Sequence, residues 1–94
     1  MDGTFRGVHS PNDVNYQDMV WFTVEDKNHN FFDNCVAPKE SYTNSVTSSF
    51  GEMVFTAVKQ DDFVMKLNRG DRIRVIGHFL GHDLFFVDKI LMIK

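Results

Sequence analysis

Alternation of apolar and polar side chains marks out most of the chain. Residues 71–79 put Ile73, Val75 and Phe79 on one side of an extended strand and Arg72, Arg74 and His78 on the other, with Gly77 among the inward set. Gly81-His82-Asp83 then separates this run from residues 84–93, a Phe-, Val- and Ile-rich stretch interrupted only by Asp88 and Lys89. Two apolar runs three residues apart predict a β-hairpin. Residues 19–25 alternate as well. Val20, Phe22 and Val24 are assigned to the core, and Trp21 and Thr23 to the outer face that Glu25 shares. Residues 4–9 predict a first strand in which Gly7 forms a bulge that turns both Phe5 and Val8 inward. The cluster Ser10-Pro11-Asn12-Asp13 follows as a turn.

Residues 53–59 predict a further strand, with Val54, Thr56 and Val58 inward and Met53, Phe55, Ala57 and Lys59 outward. Asp61 and Asp62 suit the first turn of a helix, Phe63, Val64 and Leu67 share its apolar face, and Gly70 supplies a left-handed stop. Residues 27–50 are rich in Asn, Ser and Thr and contain Pro38, which predicts a long excursion, read as a partly stranded hairpin arm. The alternative is that residues 31–36 form a strand and only 37–50 are loop. The expected fold is therefore all-β. Five strands surround a core, one short helix lies between strands three and four, and the long excursion lies between strands two and three.

With 94 residues, the chain is expected to be one domain spanning 1–94, in which folding removes roughly two-thirds of the accessible surface. A hydrophobic content of 43% with ten phenylalanines supplies an aromatic-rich core. No apolar run reaches the ~20 residues of a membrane span, and no leader pattern follows Met1, so a soluble, cytoplasmic protein is expected. Cys35 is the single cysteine, which excludes an internal disulfide and suits a reducing compartment. Net charge is −3, unevenly spread. Residues 69–94 hold five basic side chains against three acidic, whereas residues 1–68 hold five against ten. Any anion-binding surface is thus a local stripe.

A strand, helix and five-strand layout of this kind is that of the oligonucleotide/oligosaccharide-binding barrel, or OB-fold. The stretch "VFTAVKQDDFVMKLNRGDRIRVIGHF" resembles the corresponding part of the single-stranded-DNA-binding (SSB) family. "GTFRGVHSP" and "MVWFTVED" are similar to that family's first two strands. The resemblance implies a non-enzymatic protein that binds single-stranded DNA or RNA in a groove. It needs no cofactor, and it forms a homodimer or tetramer through barrel edges. The acidic tail by which the family recruits proteins has no counterpart up to Lys94, and the turn between the last two strands is short.

Single strands are bound by stacking bases on aromatic rings and following phosphates with cations. The candidate set is Trp21, Phe55, Phe31 and Tyr42 for stacking, joined by Phe32, and Arg6, Lys59, Arg72 and Arg74 for phosphate. A second reading makes the barrel a protein-interaction module without nucleic-acid affinity, which the acidic balance favours. Arg69-Gly70-Asp71 matches an adhesion tripeptide, yet a turn into a strand accounts for it. His78, His82 and Asp83 do not complete a zinc-type ligand set, nothing in the sequence marks Cys35 as an activated thiolate, and no phosphate loop or catalytic acid pair is present.

Overall fold

The computed structural model describes residues 1–11, 17–49, 52–81 and 84–93, with 44–49 and 52–55 described by their backbone. Seven strands and one helix follow in order: β1 (Asp2–His9), β2 (Met19–Glu25), β3 (Phe31–Pro38), β4 (Tyr42–Ser49), β5 (Glu52–Lys59), α1 (Gln60–Met65), β6 (Arg72–Leu80) and β7 (Leu84–Met92). Five of the strands hydrogen-bond in a closed, barrel-like ring in the order β1-β2-β3-β7-β6, while β4 and β5 form a separate two-stranded sheet. Every neighbouring pair in the ring is antiparallel except β3 and β7, which run parallel with Cys35 opposite Phe85 and Val36 opposite Phe86.

The expected third strand at 53–59 is therefore not in the ring. It is β5, which pairs along its whole length with β4, and the ring's third member is β3, the alternative noted at 31–36. The long excursion is a strand followed by a hairpin. The Ser- and Thr-rich residues 42–49 pair along β5, and β-branched threonine suits an extended backbone.

Phe5, Phe22, Val24, Ile73, Val75 and Val87 fill the ring, and Val64 and Leu67 of the helical segment join them. The helix packs at the end of the ring where β2 begins and β3 ends. At the opposite end Phe79 contacts Phe85 edge-on at 5.0 Å and Phe32 at 6.2 Å. The ring is thus filled, with the helix at one end and this aromatic cluster at the other. The helix stops at Met65, earlier than the expected Gly70, because Lys66 and Leu67 donate to the carbonyls of Phe63 and Val64 three residues back. Gly70 serves the next turn, where its N–H donates to Phe5 O and Asp71 O accepts from Phe5 N, sewing the turn to β1.

Three extra residues bend the ring, in β1 between Phe5 and Val8, in β3 between Phe32 and Cys35, and in β7 opposite Ile76 and Gly77. Each resets which side a residue faces. The bulge at Gly7 (φ +111°) turns Val8 outward, 38% exposed, where alternation had placed it inside. The bulge at Asp88 lets Val87 and Ile90 both face the core while Asp88 and Lys89 stay outside. Phe79 keeps the side of its core partner Phe85 but, near the end of β6, is 52% exposed and not the buried core residue expected. Thr56 is likewise exposed, because β5 does not cover the ring.

Candidate functional site

One row of paired positions crosses four strands, with Arg72 opposite Thr4, Thr4 opposite Glu25, and Glu25 opposite Phe31. All four lie on the side away from the core, since Ile73, Phe5, Val24 and Phe32 pack into it or against it. Phe31 is 58% exposed. A cleft of about 710 Å³ opens over this row, lined by residues 1–4, Arg6, Glu25, Arg72 and the β2–β3 turn through His29.

Glu25 is the floor of the cleft. Arg6 Nη2 and Nε approach its Oε1 at 2.6 and 2.7 Å, and His29 Nδ1 lies 2.7 Å from Oε2. These partners, His29 first and Arg6 next, hold the Glu25 carboxyl below its ordinary value of 4.5. Because the folded value is depressed, the stabilisation it brings is present above 4.5 and is lost as pH falls through the lowered value. Chemical denaturation followed from neutral to acid pH should therefore show a loss of stability that Glu25→Gln lacks over the same window. An unchanged acid profile in Glu25→Gln would remove the carboxylate from the account.

The turn that carries His29 is built by Asp26. Its Oδ1 accepts from the N–H groups of Asn28 and Asn30, both at 2.9 Å, and its Oδ2 from Asn30 Nδ2 at 3.2 Å. These bonds lower the Asp26 carboxyl, the Asn30 backbone bond most of all. His29 takes the left-handed φ of 63° that tips it back onto Glu25. Lys27, Asn28 and His29 are absent from the sequence-derived site. The signal for them was the run Asp26-Lys27-Asn28-His29-Asn30, whose Asp and Asn residues form side-chain-to-backbone turns.

Of the eight expected site residues, Arg6, Arg72, Arg74 and Phe31 come together on this face. Arg74 is held by Asp2 in a two-pronged pair, Nε to Oδ1 at 2.7 Å and Nη2 to Oδ2 at 3.0 Å. The pairing raises the guanidinium's pKa and lowers that of Asp2. Arg72 forms no ion pair among the described residues. Tyr42, 61% exposed, and Lys59 face each other at the base of the hairpin and do not line the cleft. Lys59 is bound there to Glu40 at 3.3 Å, which raises its pKa. The Phe55 side chain lies outside the described residues.

Trp21 departs from expectation. It faces away from the central cluster, as alternation requires, yet it is only 2% exposed. It belongs to a second row, in which His9, Trp21, Val36, Phe86 and His78 are paired in turn around the whole ring. His9 meets the indole edge-on at 6.1 Å, and His78 lies 5.6 Å from the Phe86 ring. A smaller pocket of about 280 Å³ beside Trp21 is walled by Val8, His9, Met19 and Met65.

The remaining candidates are accounted for locally. Arg69-Gly70-Asp71 is a tight turn in which Asp71 Oδ2 accepts from Asn68 N at 2.8 Å, and the Arg69 guanidinium packs over Gly7. Burial pushes the Cys35 thiol up to about 12, so it is protonated at neutral pH. Among the described residues no three His, Cys, Asp or Glu side chains converge as metal ligands, while His82 and Asp83 lie outside them, as do Asn12 and Asp13 of the expected first turn. No helix among the described residues is long and apolar enough to cross a membrane. Comparison with protein-family models, with curated proteins and with solved structures finds no match for the chain.

Proposed function

We propose that the chain is a non-enzymatic OB-fold protein that binds single-stranded nucleic acid, DNA in the first instance, across the Arg72–Phe31 row. The observation that carries this reading is the exposed Phe31 ring and the uncommitted Arg72 guanidinium at opposite ends of one row beside an open cleft. The strand order and the parallel closure of β3 on β7 support the OB assignment, as does the helix between the third and fourth ring strands. A base stacks on Phe31, and phosphates follow Arg72 and Lys27. Trp21, being buried, acts beneath the surface and is not a stacking platform. A cytoplasmic location accords with the reduced, buried Cys35.

A second reading is favoured by a different observation. Arg6, Arg74 and Lys59 are neutralised by Glu25, Asp2 and Glu40, while Ile76 and Leu80 on the outer side of β6 stand exposed. This suits an OB-like module that binds another protein through an apolar patch.

Salt separates the two. Anisotropy of a labelled oligodeoxythymidine of ~15 nucleotides should show binding whose log affinity falls linearly with log salt. Arg72→Ala should flatten that slope by about 0.7, the share of one phosphate on a single strand. Phe31→Ala should weaken binding by about 1–3 kcal/mol at every salt concentration. No binding at ~100 µM protein in low salt, weaker than ordinary non-specific association, overturns the nucleic-acid reading.

A further inference from the structure

The row that a single strand would follow carries a carboxylate in its middle. Phe31 lies opposite Glu25, and Thr4 separates Glu25 from Arg72, so a backbone passing from the aromatic ring to the guanidinium crosses an acidic floor. Arg6 covers one oxygen of that floor and His29 the other. The two differ in kind. A guanidinium is charged at every working pH, whereas an imidazole gains its second proton between about pH 8 and about pH 5.

Glu25 also fixes how His29 can meet a ligand. An ionised carboxylate only accepts, so the ring nitrogen 2.7 Å from Oε2, Nδ1, carries the hydrogen. The neutral ring then keeps its lone pair on Nε2, which has no partner among the described residues, and the side chain is 84% exposed at the cleft. A lone pair repels a phosphate oxygen, whereas a protonated Nε2 donates to it with charge assistance. We propose that His29 is a phosphate contact of this cleft that works only as the imidazolium, so that a single strand is bound together with a proton. The inference rests on the nucleic-acid reading above. Asp26 and Lys27 flank the ring on its own turn, and Asp2, Arg72 and the Met1 amine stand across the cleft. The carboxyls of Glu25, Asp26 and Asp2 are each lowered by the partners already named, and so stay ionised throughout the range in which imidazoles titrate. The Met1 amine donates to Val75 O. α-Amino groups titrate in the same range as imidazoles, so the decisive variants remove His29 alone.

The test is anisotropy of a labelled oligodeoxythymidine, whose bases do not titrate in this range, at about pH 8 and about pH 5.5 over a series of salt concentrations. On the acid side wild-type affinity should rise about fivefold at ~0.1 M salt, and the log–log salt slope should steepen by about 0.7, the share of one added phosphate contact. His29→Asn, which suits the left-handed backbone at that position, should match the wild type on the alkaline side and lose most of the rise. His29→Lys carries a permanent cation and should bind tightly at both pH values with little change between them. A wild type that binds equally well at both, or a rise that survives His29→Asn, overturns the assignment while leaving strand binding intact. Absence of binding by every variant at both pH values overturns the nucleic-acid reading, and this inference with it.

Discussion

Trp21→Ala should lower the stability of the folded chain by about 3–5 kcal/mol, the cost of deleting a large aromatic side chain from a closed site. At 2% exposure, between His9 and Val36 on the neighbouring strands, the indole leaves a void that its neighbours cannot collapse into without breaking the ring. Small domains are stable by only about 5–15 kcal/mol, so a urea titration should show the midpoint fall steeply. The outcome that contradicts this account is a variant with near wild-type stability and no affinity for single strands. That pattern would mean that the indole is presented to ligand, and the stacking role assigned to Phe31 would pass to Trp21.

Gly77→Ala should be more damaging than its single methyl suggests. A Cβ at Gly77 would lie 1.8 Å from the carbonyl oxygen of Phe86 and 3.1 Å from Val87 Cα. Both obstacles are backbone of the strand to which β6 is laddered, so no rotamer change relieves the overlap. We expect a loss above about 3 kcal/mol or failure to fold, measured by thermal unfolding. Gly81→Ala is the comparison. Among the described residues nothing lies within 4 Å of its Cβ position, and its φ of +72° costs only about 1–2 kcal/mol. If the two variants melt together, steric approach at the β7 bulge is not what holds Gly77.

The strands that could be read in the sequence are those whose alternation is unbroken where it matters. Val20, Phe22 and Val24 in β2, and Ile73 with Val75 in β6, were placed correctly because burial on one face leaves a period of two. β3 was obscured by its own bulge: Phe32 and Cys35 face the core three residues apart, a spacing that alternation does not read as a strand. The opposite error arose in β5, whose run from Met53 to Val58 has the composition of a ring strand but is used in the hairpin. Composition reports how well a residue suits a sheet, not which sheet receives it. On the cleft face Arg6 and Arg72 lie on neighbouring strands, as their outward positions imply, whereas Phe31 was expected in the excursion and comes to this face through the pairing of β3 with β2. The ion pairs that occupy Arg6 and Arg74 could not be read in the sequence, since Glu25 and Asp2 become their neighbours only through cross-strand register. Trp21 was assigned the right side but the wrong exposure, because alternation says nothing of what covers an outer face.

The strand order also governs how the chain must be made. β7 is the piece that joins β3 to β6, and it follows all its ring neighbours in the sequence. During synthesis, β1, β2 and β3 emerge with one raw edge waiting on β6, some seventy residues after β1 begins. The other edge, on β3, waits on β7. Contacts of such separation form slowly, and the unfinished sheet is adhesive in the interval. A ribosome that stalls, or a message that ends, before β7 is complete therefore releases an open four-stranded sheet with two sticky borders. Quality control for this fold hinges on its final strand.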